Sequence, residues 1–282
     1  MKILMANIPA GGQNSPAGAF IRSVLVPLWR RNYALVQSAT TEIAFSFASS
    51  GTIHPAFADC RYLPELNAEA MVQAVRGASS AGFDAVLMTC FGDPGLWGVR
   101  GAVDIPVVSI GEASLLAASM MAHRFGIVSP SALLIEPIRR QVERYGWGNR
   151  LVGIEATEDT AREQEESLVD AHSAIHHFTI AARRLIAAGA QVLIPACGLM
   201  SPCLRLAPNC AGEFPNGLVA VDSVPIVDVL GVSLAMAELM ARMKQCGSSW
   251  GNPRGFSEFA ATVDDEAFAC SEGAPPISIW NC

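Results

Sequence analysis

Short apolar runs alternate with longer stretches of helical spacing along this chain. Lys2–Ala6 reads as a buried strand. A loop over Pro9–Gly18 follows, then a helix over Ala19–Arg31 with Ser15 as its N-cap and Pro16 at the first helical position. Pro27 predicts a kink or an early end to that helix, because it has no amide hydrogen to donate. Tyr33–Ser38 reads as a second strand, and Ala39–Arg61 has no clear period. Asn67–Ala81 is predicted to be helical with Asn67 as its cap, and Ala85–Met88 is a strand that runs into Cys90.

The second half repeats this alternation. Pro106–Ile110 is a predicted strand and Gly111–Ala122 a helix. Phe125–Val128 opens another strand–helix unit, and Pro137–Tyr145 is helical. Thr157–Ala188 reads as one long helical stretch, Val192–Ile194 and Ile226–Val229 as strands, and Ser233–Lys244 as a helix. After Gln245 the composition shifts to Gly, Ser and Pro with isolated aromatics, which predicts a surface-wrapping or partly disordered tail. Strands that alternate with helices imply an α/β fold with parallel sheets flanked by helices. Such sheets bind ligands at the carboxyl ends of their strands.

The pattern also contains a duplication. Ala81–Cys90 reads AGFDAVLMTC and Ala188–Cys197 reads AGAQVLIPAC; each opens on Ala-Gly, runs through an apolar strand and ends on cysteine. Helix-start signals follow both, Asp93-Pro94 in one copy and Ser201-Pro202 in the other. Further along, Pro106–Ala117 (PVVSIGEASLLA) echoes Pro225–Met236 (PIVDVLGVSLAM), with a serine eight residues after the proline in both. A duplicated strand–Cys–helix unit can set two thiols on opposite sides of one cleft. Facing thiols suit a reaction that takes a proton from one face of a carbon and returns it to the other.

Composition narrows the function classes. With 282 residues, 51% hydrophobic and 16% charged, the chain can bury a large core. A formal charge of −7 argues against nonspecific nucleic-acid binding and against docking on anionic membranes. No apolar run reaches the roughly 18 residues of a membrane span, and the start of the chain lacks a secretory apolar segment. Eight cysteines scattered without CxxC pairs fit free thiols in a reducing cytoplasm. Cys197, Cys203 and Cys210 are spaced too loosely for a usual zinc site, so no metal is expected.

Cys90 and Cys197 each precede a predicted helix start, where the thiolate is favoured. Phe91, Gly92, Gly198 and Leu199 offer backbone N–H groups able to stabilise a carboxylate or an enolate oxygen. One thiolate would act as base and the opposite thiol as acid. A single cysteine after a strand can equally be a small buried hydrophobe; the paired positions favour chemistry.

At these residues the chain resembles the aspartate/glutamate/hydantoin racemase superfamily, and most its hydantoin racemase branch. CFGDPGL (Cys90–Leu96) followed by PVVSIGEA is similar to that family's first-cysteine region. PACGLM around Cys197 and the stretch Val224–Asp228 match in position. The Asn-Pro-Asn-Thr loop typical of hydantoin racemases is altered here, with Asn7-Ile8-Pro9 nearest to it and Asn14-Ser15 second.

The resemblance implies a cofactor-independent racemase with Cys90 and Cys197 on opposite faces of a small-molecule substrate. Asn7, Thr89, Phe91, Gly92, Gly198 and Leu199 would contact that substrate. It also implies two pseudo-symmetric α/β lobes, residues 1–112 plus 222–282 and residues 113–221, and a homo-oligomer. Competing readings are a maleate-type isomerase, an arylmalonate-type decarboxylase and a non-catalytic two-lobe binding protein.

Other candidates are weaker. His172 and His176 have i, i+4 spacing, but two ligands make no metal site, and with His177 they read as helix-packing or solvated. GGQNSPAG lacks the Lys-Ser/Thr of a phosphate loop. Asp93 reads as an N-cap or as a group tuning Cys90, and Glu112 as a cap or ion-pair partner.

Overall fold

A computed structural model describes residues 1–8, 16–48, 63–248 and 279–280. The apolar runs form two sheets. In the first, β1 (Lys2–Asn7) lies between β2 (Glu42–Phe47) and β3 (Ala85–Met88), and β4 (Val107–Ser109) pairs with β3, all parallel. A short β10 (Ile279–Trp280) adds antiparallel to β2, giving the order β10-β2-β1-β3-β4, while β8 (Ala220–Val221) and β9 (Val224–Pro225) form a separate antiparallel pair. The second sheet places β5 (Phe125–Ser129) between β6 (Leu151–Ala156) and β7 (Val192–Pro195), again parallel. Ile226 extends it by bridging to Leu193.

β3, β5 and β7 are buried at every position. That is the physical reason they read as continuous apolar runs rather than alternating ones. Side-chain alternation still splits the core. Ile3, Met5 and Leu87 join Ile127 and Ile194 in a cluster shared by both sheets. Leu4, Val86 and Met88 face the outer helices α3 (Leu63–Val75) and α4 (Leu96–Ala102). Val128 and Leu193 pack under α8 (His172–Ala187).

The duplication is structural as well as sequential. β4 leads into α5 (Ile110–Met121), whose N-cap Ser109 accepts from Glu112 N; the Ile226 bridge leads into α10 (Val229–Gln245), whose N-cap Asp228 accepts from Gly231 N. Ser109 and Asp228 hold the same place in the two repeats, three residues after Pro106 and Pro225. α5 packs across on β7 and α10 packs back on β3, and the two helices pack on each other. Each repeat's capped helix therefore braces the other repeat's cysteine-bearing strand.

Several expectations need correction. Tyr33–Ser38 is not a strand: Tyr33 ends α2 (Val26–Tyr33), a turn follows in which Gln37 N bonds Tyr33 O, and the strand comes later as β2. Leu35 and Val36, which suggested it, are exposed. Asn67 lies inside α3 and does not start it. Thr157–Ala188 holds two helices, α7 (Ala161–Glu166), capped by Thr160 and Glu163, and α8. They are separated where Ala171 N bonds Pro208 O and the Asp170 carboxylate accepts from His172 N. Of Ile226–Val229 only Ile226 bridges, and Val229 already opens α10.

β6 was not expected at all. Pro27 does disturb its helix: a π segment over Ile21–Leu25 separates α1 (Pro16–Phe20) from α2, consistent with a ladder that lacks one amide donor. The expectations for Ser15, for Asn14, for most of the Pro9–Gly18 loop and for the tail after Ser248, apart from β10, lie outside the described residues. No described helix is long and apolar enough to cross a membrane.

Candidate active site

The two cysteines occupy equivalent registers. Thr89 N bonds Ala6 O and Ala196 N bonds Val128 O, each continuing its strand's ladder past β3 or β7, and the next residue is Cys90 or Cys197. Both chains then turn: Asp93 N donates to Cys90 O and Ser201 N to Cys197 O. The second turn leads into α9 (Met200–Leu206).

The loops meet each other. A Cβ built on Gly198 would stand 2.5 Å from Thr89 O and 3.5 Å from Ile110 Cδ1, so only a glycine allows this approach. Behind Gly198, the fully buried Trp29 donates its indole N–H to Gly198 O at 2.7 Å and stacks against Phe45 and Phe47. Cys90 and Cys197 are partly exposed, whereas Cys203 and Cys210 are buried; all five cysteines among the described residues are free thiols. Cys197, Leu199, Met200, Cys203, Asp159 and Ser167 line a small, partly open cleft.

Burial pushes the Cys90 thiol up to about 12; the Gly92 N–H opposes this, while the charges of Asp93 and Cys197 add to it. Burial also raises Cys197, against N–H groups of Met200 and Leu199. Leu199 N lies 3.3 Å from Cys197 Sγ. Two of the expected substrate donors, Gly92 and Leu199, thus address sulfur.

Asn7, Thr89 and Phe91, also expected to contact substrate, are engaged with protein groups. Asn7 is buried at the end of β1, and its Oδ1 accepts from Ile8 N at 2.7 Å. Thr89 is buried, and its hydroxyl donates to Ala6 O at 3.3 Å. Phe91 is buried, and its carbonyl accepts from Gln141 Nε2 at 2.6 Å.

Asp93 differs from its expected role. It caps no helix of its own turn, since Gly95 precedes α4. It adopts a left-handed conformation, φ 49°, and its buried carboxylate reaches to the start of α5. There it accepts from Gly111 N at 3.2 Å and Glu112 N at 3.1 Å, and from Gln141 Nε2 at 2.9 Å and the Tyr145 hydroxyl at 2.8 Å. Gln141 lies in α6 (Ile135–Arg144) and Tyr145 just beyond it. Gly111 permits this convergence, because a Cβ there would lie 2.3 Å from Phe91 O. Burial pushes the Asp93 carboxyl up to about 7, against the pull of Tyr145, Ser109, Gly111 and Gln141. Glu112 pairs with Arg100 at 2.5 Å.

The sequence profile of the Asp/Glu/hydantoin racemase family matches residues 35–237. The chain belongs to this family. It is accordingly an isomerase of the racemase and epimerase class. The hydantoin racemase of Pseudomonas sp. strain NS671 is 28% identical over 191 residues, 67% of this chain and 71% of that protein. The hydantoin racemase of Rhizobium meliloti is 26% identical over 208 residues, covering 73% and 79%. Among solved structures, an allantoin racemase from Klebsiella pneumoniae superimposes with a TM-score of 0.69 at 20% identity, covering 90% of this chain and 93% of that one. An allantoin racemase from Pseudomonas fluorescens gives 0.65 at 22%, covering 88% and 93%. These structures establish the two-lobe fold.

Three residues that hold these loops escape a linear reading. Trp29, Gln141 and Tyr145 each lie at least 50 positions from the cysteine whose loop they hold. The only sequence trace is a polar residue on the buried face of α6, where Gln141 interrupts the apolar series of Ile138 and Val142. Of the histidines singled out in the sequence, His172 Nδ1 faces Asp170 at 2.6 Å, away from the cysteine loops, whereas His177 Nδ1 faces Asp159, which lines the cleft beside Cys197, at 2.5 Å.

Proposed function

We propose that this chain racemises a carbon acid next to a carbonyl, with 5-substituted hydantoins as the first substrate class and acidic amino acids as the second. Cys90 and Cys197 are the opposed acid and base. What supports this reading above all is the equivalent register of the two thiols, on loops that touch through Gly198 and Thr89.

In the proposed reaction one thiolate removes the α-proton from one face and the electron pair passes onto the adjacent carbonyl as an enolate. The opposite thiol then delivers its proton to the other face, which leaves the two sulfurs with their protonation exchanged. The N–H groups of Gly92 on one side and of Leu199 and Met200 on the other lower the cost of each thiolate. Asn7, Thr89, Phe91 and Gly198 complete the binding set. Independence from cofactors, a cytoplasmic setting, a homo-oligomeric state and lobe boundaries near residues 112 and 222 belong to the same proposal.

The test is loss of optical rotation from single-enantiomer 5-benzylhydantoin, 5-isobutylhydantoin, aspartate and glutamate in D2O, without added cofactor. Decay above the buffer rate, with one deuterium at the α-carbon, is expected for at least one hydantoin. Cys90→Ser and Cys197→Ser should each abolish racemisation, while each retains α-proton exchange on one enantiomer. Normal racemisation by either variant refutes the two-thiol mechanism. A covalent cysteine adduct seen by mass spectrometry would point instead to maleate-type isomerisation.

A further inference from the structure

Asp93 is a buried carboxylate that meets only uncharged donors: two backbone amides of α5, the Gln141 amide and the Tyr145 hydroxyl. Such a group normally has an arginine or lysine beside it. Here Arg100, the cation on the neighbouring helix, is engaged with Glu112 and with Val107 O. Asp93 also holds a left-handed backbone conformation that glycine would adopt without strain. Its position is close to the thiol, since Asp93 N donates to Cys90 O in the same tight turn. The Gln141 amide grips that turn twice, at Phe91 O and at Asp93.

We propose that Asp93 is the positioning residue of Cys90: its carboxylate fixes the thiol's loop against α5 and α6, and its charge governs how readily that thiol ionises. The proposal rests on Cys90 being one of the two acid–base thiols. Two negative charges in one buried turn repel in a medium far less polarisable than water. The site therefore holds one charge comfortably and a second poorly, so the carboxyl and the thiol titrate as a coupled pair. The other titratable groups facing them are Tyr145 after α6, Glu112 with its partner Arg100, and Cys197 on the opposite loop. Burial is the main cause of both raised values, and the Asp93 charge adds to that of Cys90.

The experiment measures alkylation of Cys90 by iodoacetamide from pH 6 to 10, by peptide mass spectrometry on the full chain, with exposed Cys246 as internal reference. Turnover is not needed, so the outcome is separable from that of the racemase assay. In Asp93→Asn the rate of Cys90 relative to Cys246 should match wild type near pH 6, where the carboxyl is protonated, and exceed it at least threefold at pH 8 and above, where the carboxyl is ionised. A role confined to holding the loop would change the rate by the same factor at all pH values. A ratio that does not grow across this range, or that falls, overturns the proposal. Tyr145→Phe keeps the carboxyl but removes a donor that favours its ionised form, and serves if Asp93→Asn fails to fold. It should shift Cys90 in the same direction by less, and an opposite shift overturns the proposal.

Discussion

The carbonyl of Thr89 lies 2.5 Å from where a Cβ on Gly198 would stand. Thr89 immediately precedes one cysteine and Gly198 immediately follows the other, so this contact sets how closely the two thiol-bearing loops approach. Gly198→Ala must push them apart, because the obstacle is backbone and cannot rotate away. Overpacking of this kind costs about 1–3 kcal/mol. The expected result is a lower melting temperature and at least a tenfold loss of racemisation, with far-UV circular dichroism retained. Gly101→Ala, where an added methyl meets nothing within 4 Å, should leave melting nearly unchanged.

Trp29 should matter through its nitrogen as well as its ring. Trp29→Phe keeps an aromatic in place between Phe45 and Phe47 but leaves Gly198 O without its indole donor. A buried carbonyl without a partner costs about 1–3 kcal/mol. We expect that loss in urea unfolding, together with a several-fold drop in kcat as the Cys197 loop loosens. Wild-type stability and kcat in Trp29→Phe would show that the hydrogen bond holds nothing in place.

The duplication made the two halves of the site legible, because strand, cysteine and helix recur at matched offsets in linear sequence. The pairing of Ser109 with Asp228 as helix caps was present in the same echo. What could not be read was the crossing of α5 and α10 onto each other's sheets, since that depends on contacts more than 70 residues apart. Local propensity misled where a tertiary contact won. Leu35 and Val36 look like strand residues but sit exposed in a turn. Asp93 looked like the cap of the helix beside it and instead caps a helix 18 positions on. Trp29 and Tyr145 gave no signal, because a hydrogen bond to a distant loop has no period.

In the substrate-free chain both thiols should be mostly protonated, so the one-thiolate form that begins the proposed reaction is a minority species. Burial raises Cys90 and Cys197, while Cys246 is exposed. At pH 7.5 iodoacetamide should modify Cys246 well before either of them. Both folded-state values lie above the unfolded one, so the native chain holds these protons when the unfolded chain has released them. The stability this confers is present below the unfolded thiol value near pH 9 and is lost as pH rises through the folded values. Urea midpoints should therefore fall above pH 9, and less steeply in Cys90→Ser than in wild type. Equal slopes would mean that Cys90 ionises freely in the folded chain.

Asp93 makes the opposite end of the pH range informative. Its carboxyl moves from 3.8 up to about 7 on folding, so between those values the native state binds a proton that the unfolded state lacks. Stability from this group is complete below about pH 4 and is lost as pH rises through about 7. At about 1.4 kcal/mol per unit the ceiling is ~4 kcal/mol. Wild type should thus lose stability relative to Asp93→Asn between pH 4.5 and pH 7.5, whatever constant offset the substitution adds at all pH values. Taking the difference between the two proteins cancels every other carboxylate, since the rest are shared. A difference that stays flat across that range would show that the four donors fully compensate the burial, leaving Asp93 ionised throughout. A difference of opposite sign would show that they overcompensate.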